Sequence, residues 1–295
     1  MTDKLYALRF QDISEDPELI YELFAALELD YSSYEDKEGD ASCFLIYAET
    51  PAAYAEARSR FDDAVAEWRG FGLAIADAEE ITILKEEWSE SWKKYFKIIN
   101  IAENLTIKPS WLEYSPRPGE AVVELDPGMS FGTGQHATTS YCLSAVARFA
   151  NDPEVKSLLD AGTGSGILAI AGALLGYAPI DAFDYDPEAV VVTRENIERN
   201  ALPSGTINLM VADVTTFTGC SGGYDLALVN ILGHILVANS THIVSLVRPG
   251  GYLALAGILT GEFDALAAEF TSRGCAELER RTEKEWTSGL FRREK

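Results

Sequence analysis

Three glycines alternate with other residues at positions 160–166, in the run Asp-Ala-Gly-Thr-Gly-Ser-Gly. A glycine carries no Cβ, so the main chain of such a turn can lie directly against a ligand. The spacing differs from the Gly-x-Gly-x-x-Gly turn that binds the pyrophosphate of a dinucleotide, and Asp160 would repel that group. The pattern therefore favours a cofactor with a cationic amino-acid group, held by Asp160, Gly162, Gly164 and Gly166, over a turn that binds no ligand.

Three further polar residues follow the predicted strands of the same region. Asp184 ends the next strand, roughly 20 residues on, where an acid accepts hydrogen bonds from ribose hydroxyls. Asp213, near the end of the third strand, can accept from the exocyclic amine of adenine or be a simple loop acid. Asn230 ends the fourth strand between apolar residues, where a buried amide needs a partner. It can hold an incoming amine beside the reacting group, or cap the next helix.

A second glycine-rich segment covers residues 125–139 and ends at the start of an apolar helix. Its three glycines, Gly128, Gly132 and Gly134, and its hydroxyl side chains predict a flexible loop that can lie over a bound cofactor. His136, near its end, is a possible general base. A single histidine at a helix start is more often a cap or a structural hydrogen-bond donor.

The elements that must position these residues alternate regularly after residue 120. Apolar runs predict strands at 157–160, 180–183, 207–211, 226–229 and 252–256, and amphipathic runs predict helices at 167–175, 187–200, 235–247 and 262–272. This order predicts a mostly parallel α/β sheet with helices on both faces, which binds ligands at the carboxyl ends of its strands.

The first 84 residues have a different pattern. Strands are expected at 5–10, 43–48 and 74–84 with one more in between, and helices at 16–27 and 52–69. The order β-α-β-β-α-β predicts a small ferredoxin-like α+β domain. Residues 85–119 are then a linker and lead-in segment, and residues 120–295 are the cofactor-binding catalytic domain.

Charge and cysteine usage exclude several function classes. The formal net charge is −23, from 47 acidic and 24 basic residues, so nucleic acid is a poor partner, whereas a basic protein or a cationic small molecule is attracted. An acidic surface that serves only solubility is the alternative. The four cysteines form no Cys-x-x-Cys pair, so no metal site is expected. No signal peptide or apolar run of ~20 residues is found, which predicts a cytoplasmic protein.

Several motifs together resemble one known family. They are Asp-Pro-Gly-Met-x-Phe-Gly-Thr-Gly-x-His-x-Thr-Thr at 126–139, the turn at 160–166, Asp184-x-Asp186-Pro187, Asn230-Ile231-Leu232 and Gly257-Ile258-Leu259. Over residues 85–295 the chain resembles the ribosomal protein L11 methyltransferase family (PrmA-like). The Phe-Gly-Thr-Gly loop is the more specific motif, because many methyltransferases share the glycine turn.

This resemblance implies a Rossmann-like class I fold and transfer of methyl groups from S-adenosylmethionine to lysine and amino-terminal amines of ribosomal protein L11. The amino-terminal domain would grip that substrate, and the chain is expected to be a monomer. The family's cofactor residues carry over onto Phe131, Thr138, Gly162, Asp184, Asp213 and Asn230, with Phe131 and Asn230 as the expected catalytic residues. Ala137, Thr163 and Val229 depart mildly from the family pattern.

Three other functions fit parts of the pattern. A methyltransferase of the same fold could act on another protein or on a small amine. A non-catalytic module could keep the fold and sense the cofactor. A nicotinamide-dependent dehydrogenase shares the glycine-rich turn, although the glycine spacing argues against it.

Overall fold

The computed structural model describes residues 4–11, 31–35, 42–48, 50–70, 78–84, 96–126 and 136–295. The chain divides into two compact units, Met1–Phe96 and Lys97–Lys295, and the division falls inside the predicted linker of 85–119. Within the described residues, no helix is both long enough and apolar enough to cross a membrane.

The described strands of the first unit form an antiparallel sheet in the order β2-β3-β1-β4. The elements are β1 (Lys4–Gln11), β2 (Tyr31–Glu35), β3 (Ser42–Ala48), α1 (Pro51–Gly70) and β4 (Glu79–Leu84). Helix α1 packs on β1 and β3, and Leu8, Ile46 and Phe61 are buried. The strand order agrees with a ferredoxin-like domain. The predicted helix at 16–27 lies outside the described residues, so the complete plan stays a prediction.

The second unit is built on a seven-stranded sheet in the order β10-β9-β8-β11-β12-β14-β13. Its strands are β8 (Leu158–Ala161), β9 (Ile180–Asp184), β10 (Asn208–Val211), β11 (Tyr224–Asn230), β12 (Val247–Leu259), β13 (Cys275–Glu283) and β14 (Trp286–Arg293). The five strands from β10 to β12 pair in parallel, whereas β14 pairs antiparallel with both of its neighbours, β12 and β13. The predicted mostly parallel α/β sheet is confirmed.

Helices cover both faces of this sheet, because its central strands are apolar on both sides. Leu158 and Leu228 belong to one buried cluster, and their neighbours Leu159 and Val229 belong to the other. The helices of this unit are α2 (Ala137–Phe149), α3 (Ile167–Leu174), α4 (Pro187–Arg199), α5 (Gly233–Ala238), α6 (Ser240–Ser245) and α7 (Thr260–Ser272).

The predicted linker and lead-in segment, 85–119, holds two strands of a small sheet whose third strand lies just beyond it, and a sheet was not predicted here. Strands β5 (Ile99–Ala102), β6 (Leu105–Lys108) and β7 (Ala121–Glu124) are arranged in that order, with β5 antiparallel and β7 parallel to β6. The buried carboxylate of Glu120 accepts hydrogen bonds from Thr106 Oγ1 and Tyr114 Oη and pairs with Arg117, which holds the Glu120 pKa well below its usual range. This network fixes the crossing between β6 and β7.

Two further predictions about elements of the second unit were wrong or incomplete. The helix predicted at 235–247 is two short helices, α5 and α6, separated by Asn239. The Asn239 Nδ2 donates to the carbonyl of Ile235 at 2.9 Å, a local side-chain bond of the kind that competes with helix continuation. Strands β13 and β14 were not predicted, and in β13 charged residues at 279–281 interrupt the alternation of apolar side chains.

Candidate active site

The order in which successive strands join the sheet of the second unit reverses at β8. The next strand, β9, pairs on one side of β8, and β11 pairs on the other side. In parallel α/β sheets this switch point opens a crevice at the carboxyl ends of the strands, where ligands bind. The glycine turn follows β8, Asp184 is the last residue of β9, and Asn230 is the last residue of β11. The fold therefore brings these three sequence-predicted features to one edge.

The glycine turn has a conformation that its glycines allow. Gly162, Gly164 and Gly166 all have positive φ angles, at 77°, 55° and 81°, in the left-handed region. The amides of Gly162 and Thr163 both donate to the carbonyl of Phe183 at 2.9 Å, which joins the turn to β9. A Cβ at Gly162 would lie 2.5 Å from Ile231 Cγ2. The turn is therefore packed directly against the segment that comes after Asn230.

Helix α4 holds the turn from the side. Thr193 Oγ1 donates to the carbonyl of Gly164, and Asn196 Nδ2 donates to the carbonyl of Ser165, both at 2.8 Å. Both side chains are buried. These two residues were not predicted from the sequence, although polar residues on the inward face of an amphipathic helix are a signal that was present. We call this pair of contacts the helix clamp.

Asp160 lies inside the turn and is completely buried. Its Oδ2 accepts hydrogen bonds from Thr163 Oγ1 at 2.7 Å and from the amide of Ala169 at 3.1 Å. Burial raises the pKa of Asp160 to about 6, against the opposing effect of these two bonds. Its other oxygen, Oδ1, is buried and has no hydrogen-bond partner within the described part of the chain. One oxygen of Asp160 thus shapes the turn.

Asp184 is almost fully satisfied by the main chain around it. Its Oδ2 accepts from the amide of Gly164 at 2.9 Å, and its Oδ1 accepts from the amide of Asp186 at 3.1 Å. Only 8% of its surface is exposed. Asp186 caps α4 by accepting from the amide of Glu188, as its position before a proline indicates. The Asp184 carboxylate is therefore fixed in orientation at the crevice.

Asp213 lies two residues beyond the end of β10 and is exposed. Its Oδ1 accepts from the amide of Thr215 at 2.8 Å, which lowers the pKa of Asp213. Its main-chain carbonyl accepts from the amides of Thr216 and Phe217. This carboxylate holds its own turn and is not joined to the glycine turn by any contact of the described residues.

Asn230 differs from the two acids. Its Oδ1 is buried and has no hydrogen-bond partner among the described residues. The N-cap residue of the following helix α5 is Leu232, so Asn230 is not its cap. Gly257, near the far end of β12, has a φ of 84°, and a Cβ there would lie 2.4 Å from the carbonyl oxygen of Ile231. The glycine lets β12 approach the main chain just after Asn230.

Thr138 and His136 lie at the start of α2. His136 is the N-cap residue but makes no side-chain cap bond; its Nδ1 is instead 2.7 Å from Thr138 Oγ1. The His136 ring meets the ring of Trp286 edge-on, with centroids 5.3 Å apart. Thr138 is fully buried. Phe131, the other residue predicted from this segment, lies outside the described residues.

Residues 124–126, which precede the glycine-rich segment, are also held in place by hydrogen bonds. Asp126 accepts hydrogen bonds from the amide and the hydroxyl of Ser110, at 2.7 and 2.9 Å, and forms an ion pair with Arg199 at the end of α4. Asn200 bonds both the amide and the carbonyl of Glu124 at 2.8 Å. Helix α4 thus supports β7 as well as the glycine turn.

Comparison with known proteins identifies the family of this chain. The family model for ribosomal protein L11 methyltransferase (PrmA) matches residues 32–294. The chain belongs to this family. Relatives named ribosomal protein L11 methyltransferase include one from Citrifermentans bemidjiense, 42% identical over 226 residues, 75% of this chain and 72% of that protein. Another, from Streptococcus pyogenes serotype M28, is 36% identical over 88% of this chain and 81% of that protein.

A solved structure agrees with this membership of the L11 methyltransferase family. The crystal structure of ribosomal protein L11 methylase from Lactobacillus delbrueckii subsp. bulgaricus superposes with a TM-score of 0.60 at 26% identity, covering 68% of this chain and all of that one. The family resemblance read from the motifs is confirmed, and so is the assignment of the chain as a methyltransferase of Rossmann-like fold.

Proposed function

We propose that this chain transfers methyl groups from S-adenosylmethionine to the lysine and amino-terminal amines of ribosomal protein L11. The observation that carries the proposal is the crevice between β8 and β11 in a member of this family. There the glycine turn, a fixed carboxylate at Asp184 and an Asn230 amide oxygen without a partner among the described residues lie on one edge of the sheet. No observation favours the rival substrates, another protein or a small amine.

The residues present fit the cofactor. S-adenosylmethionine supplies, when bound, a methyl group on a positively charged sulfur. The oriented carboxylate of Asp184 suits ribose hydroxyls, which donate hydrogen bonds. The Asp160 Oδ1, which has no partner in the described part of the chain, suits an ammonium donor, because a buried carboxylate oxygen without a hydrogen bond is costly. Gly162, Gly164 and Gly166 let the main chain approach the ligand, and Thr138, Phe131 and Asp213 complete the proposed set.

Asn230 is the residue we assign to the amine substrate. A lysine side chain has an ordinary pKa near 10.4, so it must lose a proton before it can attack. A site next to a positive charge favours the neutral amine. The Asn230 Oδ1 accepts a hydrogen bond from that amine and aligns its lone pair with the methyl group. Alignment of two reactants is itself a large part of catalysis.

The charge of the chain supports a basic protein as the substrate. A net charge of −23 gives the surface a negative field that raises the encounter rate with a positively charged partner. The unit Met1–Phe96 is proposed as the part that grips this partner. A monomer in the cytoplasm is the working form that we propose.

Methylation of purified L11 tests the function directly. Wild-type protein is incubated with S-adenosylmethionine and L11, and the L11 mass is followed for increments of one methyl group. A matched reaction uses Asn230→Ala, and a second one uses a mixture of other ribosomal proteins without L11. Mass increments on L11 that fall with Asn230→Ala are expected. Methylation of other proteins and none of L11 would contradict the substrate assignment.

A further inference from the structure

We infer that neutral His136 is a positioning residue for Thr138: it takes up the hydroxyl hydrogen of Thr138 and so reserves the Thr138 oxygen for the ammonium group of the cofactor's amino-acid portion. The inference rests on the proposed function, because it assigns a task within the proposed cofactor site. Its basis is the 2.7 Å contact between His136 Nδ1 and Thr138 Oγ1.

The position of His136 decides which atom donates in this contact. His136 is the N-cap of α2, a helix of 13 residues, so its ring lies at the positive end of the helix dipole. A lone pair on Nδ1 is favoured there, and a positive imidazolium is disfavoured. Burial also lowers the pKa of His136, against the opposing charges of Glu285 and Glu283. Thr138 therefore donates to a neutral ring.

The Thr138 oxygen then has only lone pairs to offer to another group. Cys142 lies one helical turn further on, on the same face of α2. Cys142 belongs to the same buried cluster as Leu158 of β8, and Asp160 lies two residues beyond Leu158 on the same face of that strand. Thr138 and Asp160 therefore lie on the same side of the sheet. The Asp160 Oδ1, for which residues 96–126 and 136–295 supply no donor, and the Thr138 oxygen are both acceptors. Two acceptors of this kind fit an ammonium group and would repel a carboxylate.

Protonation of His136 reverses the contact. A charged ring donates from Nδ1, so the Thr138 hydroxyl must accept, and its own hydrogen then points to the ligand. That hydrogen opposes an ammonium group. The neutral form is therefore the one that binds, and cofactor affinity falls as the pH is lowered through the His136 pKa, below its ordinary value near 6.5.

Other charges face the ring and must be considered. Glu283, Lys284 and Glu285 of the β13–β14 hairpin act on His136, and Arg281 donates to the carbonyl of Ala137 at 3.4 Å. Asp160, with a pKa of about 6, titrates in the same range. The pH profile of the wild-type protein alone therefore does not isolate His136. A variant that keeps the contact and does not titrate does isolate it.

The test compares wild-type protein with His136→Asn by titration calorimetry between about pH 7.5 and pH 5.5. An asparagine oxygen occupies nearly the place of Nδ1, accepts from Thr138, and is a favourable N-cap. The ligands are S-adenosylhomocysteine, which carries the ammonium group, and 5′-methylthioadenosine, which shares the nucleoside and lacks the amino-acid portion. Thermal melts of both proteins confirm equal folding.

We expect both proteins to bind S-adenosylhomocysteine within about 2-fold of each other at the higher pH, and the wild type to lose about 5-fold more affinity at the lower pH, the worth of about one hydrogen bond. With 5′-methylthioadenosine this difference should vanish. Thr138→Val should weaken S-adenosylhomocysteine about 5-fold at the higher pH, and the double variant with His136→Asn should be no weaker.

Superimposable pH profiles for the two proteins, or an equal difference with both ligands, would overturn the inference. If His136→Asn melts early, the Thr138→Val comparison decides in its place, since equal losses with both ligands would also refute an ammonium contact. No binding of S-adenosylhomocysteine by the wild-type protein at any pH would instead overturn the proposed function, and this inference with it.

Discussion

The ends of β9 and β11 lie on one edge of the same sheet, and their polar side chains are in opposite states. Both carboxylate oxygens of Asp184 have a partner, because each accepts a hydrogen bond from a main-chain amide and keeps a second lone pair. Asn230 has a buried amide oxygen with no partner in the part of the chain that the structure describes. A satisfied group keeps its position without a ligand, whereas an unsatisfied one is stabilised only when a donor arrives. The first arrangement suits binding, and the second suits a reacting partner.

The largest effect on cofactor affinity is expected at Asp184, the residue at the end of β9. Asp184→Ala removes the acceptor for two amides and the proposed grip on the ribose, so we expect cofactor affinity to fall at least about 100-fold. The melting temperature should fall as well, because the amide of Gly164 loses its partner. Titration calorimetry with S-adenosylhomocysteine and a thermal melt measure both. Unchanged affinity would mean that Asp184 is only a structural acid.

A substitution at Asn230, at the end of β11, should affect the methyl-transfer rate more than stability or cofactor affinity. Asn230→Ala removes a buried atom that has no partner among the described residues, so we expect the melting temperature to stay the same or rise. The methyl-transfer rate should fall about 30-fold, and cofactor affinity should change less than about 5-fold. Single-turnover rates and calorimetry separate the two. Equal losses in rate and affinity would refute a role in positioning the amine.

A substitution in β12 can disturb the main chain just after Asn230. Gly257→Ala forces a Cβ against the Ile231 carbonyl in a left-handed conformation, so we expect a rate about 10-fold lower and a melting temperature lower by several degrees. Single-turnover rates and a thermal melt measure the two effects.

Gly261→Ala is the matched control for Gly257→Ala. It lies in helix α7, and a Cβ there would meet no described atom within 4 Å. Alanine in a helix is preferred to glycine, so this variant should melt at the same temperature or slightly higher. If both variants behaved alike, the packing against Ile231 would have no bearing on the site.

The smallest effect is expected at Asp213, which sharpens the comparison by providing an exposed, locally satisfied acid. Asp213→Asn keeps an acceptor for the Thr215 amide and removes only the charge. We expect cofactor affinity to fall by no more than about 3-fold in titration calorimetry. A loss comparable with that of Asp184→Ala would show that Asp213 bonds the adenine directly, as the sequence pattern also allowed.

The features that could be predicted from the sequence are those set by local order along the chain. An apolar run, a polar residue at its end and a glycine turn indicated β8, β9 and β11, and hence the edge that holds Asp184 and Asn230. The same pattern did not reveal that the Asn230 oxygen lacks a partner among the described residues while the Asp184 oxygens have theirs. That difference depends on contacts between residues distant in sequence, such as the amide of Gly164 with Asp184.

Short strands and strands with many charged residues were not predicted for a related reason. The strands of the small β5–β6–β7 sheet are only four residues long, so their apolar runs are too short to stand out, although Leu105, Ile107 and Val123 are buried. Strand β13 contains several arginines and glutamates, and some of them form ion pairs at the surface, as Arg280 does with Glu277. Trp286 reaches His136 only because β14 returns along β12.

The helix clamp on the glycine turn has a consequence for transplanting this site. Thr193 and Asn196 lie about thirty positions beyond the carbonyls that they hold, on a separate helix. A chimaera that received only residues 160–166 would inherit the glycines without the geometry imposed on them. The smallest portable cassette therefore runs from β8 through the end of α4.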